Sequence, residues 1–352
     1  MAGIEPEILF ERRGTAGLVT FNRPKALNAL THNMVRRLAA QLETWAKDPT
    51  VTRVIVTAAG ERAFCAGGDI RALYELGRAG RYADMLAFWR EEYALNAMIK
   101  RYPKPYVSLI DGIVMGGGVG VSIHGSHRVA GDRYLFAMPE VGIGFFPDIG
   151  ATWFLPRMPG ESGTYCALTG ERFGPDDGVA VTTATHRVSS ARFPALMQAL
   201  CGTDAVDAIL AAFAEPVASP PIAALRPVID RLFKCDRVED ILAALDQAAV
   251  GGKDATFAAQ AAATIRTKSP TSLKLALAQV RKGRDLTFEA CLETEFRIVS
   301  RIIHGHDFYE GVRAVIIDKD NRPNWCPATL EAVTAAEVER HFAPLGDAEL
   351  KL

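Results

Sequence analysis

Apolar and polar positions change period several times along the chain, and each change marks an element. Residues 8–21 read as a hairpin: ILFERR, a turn at Gly14-Thr15-Ala16-Gly17, then LVTF, ended by Asn22-Arg23-Pro24. Behind Thr31, a good N-cap residue, Met34, Leu38, Leu42 and Trp45 recur at helical spacing until Asp48-Pro49 stops them. VIVTA at 54–58 reads as a buried strand. Residues 82–100 return to the helical period, with Phe88, Glu92, Leu95 and Ile99 on one face at i, i+4, i+7 and i+11. Glu92 thus interrupts an apolar stripe, whereas Glu91 lies about 100° around the helix and faces solvent. A carboxylate on such a stripe is costly unless paired, so the pattern leaves open a structural ion pair or a pocket residue.

The most informative stretch is 105–150. Val107, Leu109 and Ile110 fit a buried strand, Met115 leads into Gly116-Gly117-Gly118-Val119-Gly120, and an apolar helical run follows. Glycines at a helix mouth let another molecule approach backbone N–H groups that attract negative charge, although close packing uses the same residues. Further strand then leads to Met138-Pro139-Glu140 and, eight residues after Glu140, to Asp148 in Phe146-Pro147-Asp148. N–H donors followed by two acids in apolar neighbourhoods suit acyl chemistry: donors for a developing oxyanion, acids for proton transfer or attack. The residues alone also allow Glu140 to pair with an arginine and Asp148 to cap a helix. Upstream, Ala66-Gly67-Gly68 turns the chain out of an extended piece, and Gly68 exposes an N–H with no side chain in the way.

After Gly150 come helical pieces around Pro156 and Pro159, a turn and short helix at Pro175, and a strand at TTATHRVSS. Residues 191–265 are alanine-rich and helical, with Pro216, Pro220, Pro221 and Pro227 in the connections, and no chemistry is assigned to them. Residues 272–280 are helical, and Phe288, Leu292, Phe296, Val299 and Ile303 form the core stripe of a long helix. Strands alternating with helices make the chain α/β. The expected organisation is a core at 1–190 with the site and a mainly helical region at 191–352.

Composition narrows the function. At 352 residues and 49% hydrophobic the chain supports a large core, and a net charge of -1 argues against a nucleic-acid partner. Six scattered cysteines without a CxxC suit a reducing cytosol. The acidic opening segment lacks the features of a signal or transit peptide, and no apolar run approaches the ~20 residues of a membrane span, so a cytoplasmic protein is expected. A dinucleotide fingerprint from Gly116 fails at Val121, a nucleophile elbow from Gly160 fails at Thr164, and Gly252-Lys253 is no Walker motif. His304-Gly305-His306 lacks a third matched metal ligand, and His124 and His127 read as satisfied histidines.

FCAGGDI, REEY, MGGGVG, FAMPE, FPDIG and DFYEGVRAVIIDKD occur here in one order. With them the chain resembles the enoyl-CoA hydratase/isomerase (crotonase) superfamily, and within it the 3-hydroxyisobutyryl-CoA hydrolases, from about Leu18 to Pro327. The resemblance implies a crotonase-like spiral of repeated ββα units with a C-terminal helical region. It implies oxyanion N–H groups at Gly68 and Gly117, an adenine contact at the Ala66 carbonyl, and Glu92 in the substrate pocket. It places Lys319, or Arg322, on a coenzyme A phosphate, and Glu140 and Asp148 in catalysis. It implies an acyl-CoA substrate and no separate cofactor, and leaves a homo-oligomer open.

Hydratases of the superfamily carry a first glutamate three residues after the second oxyanion glycine, where this chain has Gly120. The expected activity is therefore hydrolysis of a short 3-hydroxyacyl-CoA thioester, 3-hydroxyisobutyryl-CoA first, in valine breakdown. A hydratase or isomerase reaction, or acyl-CoA binding without catalysis, are the alternatives.

Overall fold

Strands alternate between two sheets. Among the described residues these are β1 (Ile8–Arg13), β2 (Ala16–Phe21), β3 (Arg53–Ala58), β4 (Ala63–Cys65), β5 (Tyr106–Ile110), β6 (Ile113–Met115), β7 (His127–Ala130), β8 (Leu135–Ala137) and β9 (His186–Arg187). The large sheet runs β1-β2-β3-β5-β7-β9 and the small one β4-β6-β8. From β3 onward every odd strand joins the large sheet and every even one the small. Helix α1 (His32–Lys47) precedes β3; α2 (Ile70–Arg78) and α3 (Tyr82–Lys100) follow β4, and α4 (Gly117–Ile123) follows β6. This is a ββα repeat in a mixed α/β fold.

The computed structural model describes residues 5–217 and 219–352, in two compact units. The first contains the described residues up to Asp69, with Glu91–Phe136 and Arg172–Ala223; the second contains Ile70–Arg90, Ala137–Glu171 and Ala224–Leu352. Each unit therefore draws on separate stretches of chain, while strands end at Arg187 and later elements are helical.

In the first unit β1 and β2 are antiparallel, with Ile8 opposite Phe21 and Arg13 opposite Ala16. The turn needs only Gly14, at φ +57°, and Thr15, so β2 starts two residues earlier than the sequence suggests. The remaining pairs of the large sheet are parallel. β3 and β5 are largely buried on both faces, which is why they read as nearly continuous apolar runs. Leu18, Ile55, Val107, Leu109 and Val129 pack with Leu196, Leu200, Ile209 and Leu210, so the alanine-rich helices Phe193–Leu200 and Val206–Phe213 cover a sheet face. Each such leucine or isoleucine contributes roughly 1.5–3 kcal/mol through burial. TTATHRVSS supplies only two strand residues, and Thr185 just before them joins the edge by its N–H and hydroxyl, which both donate to Arg128 O, the hydroxyl also accepting Arg128 N–H.

Thr31 caps α1 by accepting Met34 N–H, and Met34, Leu38, Leu42 and Trp45 are buried as the periodicity predicts. Helix α3 has the expected bounds but more than one apolar face: Trp89, Tyr93, Asn96 and Ala97 are buried beside Phe88, Glu92, Leu95 and Ile99. A stripe of four positions therefore understated its burial. Pro227 lies inside the helix Pro221–Leu232 rather than in a connection.

The second unit is helical. Ser269, Thr287 and Thr334 cap the helices Pro270–Lys282, Phe288–Ile302 and Ala335–Phe342 through their hydroxyls. Phe288, Leu292, Phe296, Val299 and Ile303 are all buried. Among the described residues no helix is long and apolar enough to cross a membrane.

Close packing of α4 on β4 sets one test of the fold. A Cβ on Gly118 would stand 2.1 Å from the Cys65 carbonyl oxygen, a backbone atom that cannot swing aside. Gly118→Ala is expected to destabilise the protein by about 3 kcal/mol. An unchanged denaturation midpoint would show that α4 does not pack this way.

Candidate active site

Two glycine turns of the first unit come together. Beyond β4, Ala66 N donates to Leu27 O, Leu30 N to Gly67 O and Asp69 N to Leu30 O, which pins the turn with Gly67 at φ +118°. Gly68 N–H is left without a backbone acceptor among the described residues. At the other turn Gly116, at φ +47°, leads into α4, so Gly117 is the first helical residue and its N–H has no intrahelical acceptor. A Cβ on Gly117 would lie 3.2 Å from Gly68 N, and one on Gly67 would lie 3.9 Å from Gly117 N. The two donors predicted from sequence are therefore neighbours. Close packing and donor exposure, alternatives in the sequence, coexist here: Gly118 packs and Gly117 presents its N–H.

Glu92 lies beside them. It is 2% exposed, and its Oε1 would be 2.5 Å from a Cβ on Gly117. Burial pushes the nearby Cys65 thiol up to about 12, and the Glu92 charge adds to the rise. Glu91 does not simply face solvent: it accepts from Arg36 at 2.6 and 2.8 Å and lies 3.0 Å from His32 Nε2. Glu92→Leu is expected to leave the fold intact and lower kcat/KM about tenfold, since its carboxylate borders the donors. An insoluble variant would mark Glu92 as part of a structural ion pair instead.

The predicted acids lie in the second unit. Glu140 opens a single 3-10 turn, Glu140–Ile143, closed by Gly144 at φ +68°. Its side chain is 6% exposed, and Oε2 has no hydrogen-bond partner among the described residues. Burial holds its carboxyl well above the ordinary carboxylate range, and the charge of Asp148 raises it further. Asp148 is itself buried. The structure thus brings the two acids within electrostatic reach of each other. Asp148 is not the helix N-cap, because Gly150 takes that position for Ala151–Phe154, and Ala151 N–H donates to the Asp148 backbone carbonyl.

Ile149 and Gly150 follow with φ of +57° and +88°. A β-branched residue is an outlier in the left-handed region, at a cost of about 1–3 kcal/mol. Two polar side chains that the sequence reading missed hold this turn. Glu295 accepts Gly150 N–H at 2.7 Å and Thr152 N–H at 2.8 Å, and Gln279 Nε2 donates to Pro147 O. A signal for Glu295 existed: it stands three residues after Leu292 and four before Val299, on the stripe of its helix, as Glu92 does on α3.

Of the remaining candidates, Ala66 is half-buried in the first turn. Lys319 is exposed at φ +60° in the second unit, between Asp318 and Asp320, which both accept from Arg313 Nη1 at 2.7 Å. His127 Nε2 lies 2.8 Å from Asp207, the satisfied state expected of it. Among the described residues no group of three histidine, cysteine or acidic side chains is arranged to hold a metal.

Strand pairs shared between two sheets, each followed by helix, define the crotonase fold, and facing glycine turns with a separate acid pair suit its acyl-thioester enzymes. Residues 16–342 match the enoyl-CoA hydratase/isomerase family, to which the chain belongs. It is 46% identical to 3-hydroxyisobutyryl-CoA hydrolase, mitochondrial, of Danio rerio, over 98% of this chain and 92% of that one. The Homo sapiens protein of the same name is 41% identical over 98% and 90%. Among solved structures, a carnitinyl-CoA dehydratase from Mycobacterium thermoresistibile is similar with a TM-score of 0.92 and 45% identity, covering 99% of each chain. An enoyl-CoA hydratase from Rhodobacter sphaeroides has a TM-score of 0.90 and 40% identity, covering 99% of this chain and 100% of its own.

Proposed function

We infer that this chain hydrolyses a short 3-hydroxyacyl-CoA thioester, 3-hydroxyisobutyryl-CoA being the first candidate, to the free hydroxy acid and coenzyme A. The observation that carries this reading is a buried acid pair, Glu140 and Asp148, in a chain whose hydratase position is Gly120. The names of the hydrolase relatives support it; those of the two solved structures point to dehydration and hydration. The residues at the proposed site favour hydrolysis. Water addition across a double bond in this family uses two glutamates, and Gly120 has no side chain to serve as one.

Gly68 and Gly117 donate their N–H groups to the thioester oxygen as the carbonyl becomes tetrahedral. Loss of one such donor costs about 3–4 kcal/mol of activation free energy in other enzymes. Glu140 has two routes. As nucleophile it bonds to the carbonyl carbon, the C–S bond breaks, and water opens the mixed anhydride. As general base it takes a proton from the attacking water. Asp148 orients the acyl hydroxyl or water and shares protons with Glu140. Glu92 lines the acyl pocket, Ala66 O takes the adenine, and Lys319 meets a phosphate. An acyl-CoA binder without catalysis would need the donors but not two buried acids. Product release suits valine breakdown. Six unbridged cysteines suit a reducing compartment, and the cytoplasm is our proposal, although the relatives are named mitochondrial.

Both routes need ionised Glu140, whose carboxyl burial and Asp148 hold above its usual 4.5. The acid limb of kcat/KM is therefore expected above that value, and it belongs to the coupled pair. Asp148→Asn should move the limb of the residual activity down, by removing the neighbouring charge. A wild-type limb at or below the ordinary value would contradict this. Thiol release across a panel of acyl-CoAs tests the substrate class, with short 3-hydroxyacyl thioesters expected to be the fastest.

A further inference from the structure

The turn that carries Asp148 is held by side chains from two different helices. Glu295, 0% exposed on Phe288–Ile302, uses both carboxylate oxygens, one on Gly150 N–H and one on Thr152 N–H. Gln279, also 0% exposed, on Pro270–Lys282, donates to Pro147 O. Between these anchors stand Asp148 and Ile149, the latter in its left-handed conformation. A fully buried carboxyl group with no cation among these partners is expensive to ionise. Burial pushes Glu295 up to about 8, with the Asp148 charge adding to the rise, so Asp148 acts on Glu140 and Glu295 alike. Its role goes beyond packing, since an apolar side chain in its place would leave the Gly150 and Thr152 N–H groups buried without their acceptor.

We propose that Glu295, seconded by Gln279, is a positioning residue for the hydrolysis: it holds the strained turn at 147–150 so that the Asp148 carboxylate is presented to Glu140. This rests on the thioester-hydrolase reading above. The clamp needs an oxygen at each of its two anchors. Each of the two backbone N–H groups donates to one carboxyl oxygen, whereas a carboxamide offers one acceptor and one donor. In Glu295→Gln one anchor meets an N–H head-on, and Ile149 loses the support that keeps its backbone left-handed.

The test uses the full chain in four forms: wild type, Glu295→Gln, Asp148→Asn and the double variant. Glu295→Gln is expected to lower kcat at least about tenfold with KM within about twofold, because the clamp touches no substrate. In the Asp148→Asn background the same change is expected to cost less than about twofold more, since a residue acting through Asp148 has nothing left to position. A full, additive loss in the double variant, or an unchanged kcat in the single one, overturns the proposal. Should Glu295→Gln fail to fold, Gln279→Met releases the turn from its other side, and an unchanged kcat there is equally fatal. A crystal structure of the foldable variant reads the clamp without activity. Ile149 is expected to leave the left-handed region, and a turn unchanged at Ile149 refutes the clamp. Absence of thiol release by the wild type would refute the hydrolase reading alone, since the crystallographic result is independent of turnover.

Discussion

Glu140→Gln is expected to lower turnover by about a thousandfold or more, equivalent to roughly 4 kcal/mol of activation free energy, while acyl-CoA binding stays within a few-fold. The amide preserves shape but is neither nucleophile nor base at neutral pH. Activity within about tenfold of wild type, or ~1.4 kcal/mol, would remove Glu140 from the centre of the mechanism. A second readout distinguishes a lost charge from a damaged fold. The folded-state pKa of Glu140 lies above the 4.5 of a free side chain. Its contribution to stability is therefore fully present below that value and is lost as pH rises toward the folded-state pKa. Glutamine suffers no such loss. The melting temperature of the variant should accordingly gain on wild type as pH rises from about 4.5, and a growing deficit would mean that the carboxylate stabilises the fold when charged.

How much of this was legible in the sequence depended on whether a signal was local. Period and caps found α1, with Thr31 accepting Met34 N–H and its apolar face buried, and they found the long stripe from Phe288 to Ile303. Glu92 was singled out because one charged residue on an apolar stripe contradicts its surroundings, and it is indeed buried. The glycine turns were visible as composition, but their approach was not. Gly68 and Gly117 are far apart in the chain, and only the pairing of β4 with β6 brings them together. The resemblance, not periodicity, named them as a pair.

The acids divide in the same way. Glu140 and Asp148 stood out by their apolar neighbours, yet the raised pKa of Glu140 depends on burial, which no local window shows. Ile149 reads as an ordinary apolar residue, because a left-handed φ on a β-branched side chain has no composition signal. Glu295 had the same signature as Glu92 and was overlooked. Gln279 had none, since glutamine is at home on any helix surface. The two-residue β9 and the burial of α3 around most of its circumference also depend on what packs against them.

The second large effect is the choice of reaction. Hydration needs one group to deliver the hydroxyl and another to handle the proton on the neighbouring carbon. By the family resemblance Glu140 takes one hydratase position, and Gly120 stands in place of the other. Hydrolysis needs attack at the carbonyl itself, the role proposed above for Glu140 with Asp148, and an oxyanion stabilised by N–H donors, the role proposed for Gly68 and Gly117. Removing one essential acid from a concerted pair costs on the order of a hundredfold or more, so the preference for hydrolysis should be at least that large. The direct measurement is a side-by-side rate comparison on the wild-type enzyme. Thiol release is followed for a saturated 3-hydroxyacyl-CoA, and loss of the conjugated thioester absorbance for crotonyl-CoA. Rapid thiol release with hydration slower by about two orders of magnitude is the predicted result; hydration as the faster reaction would contradict the assignment.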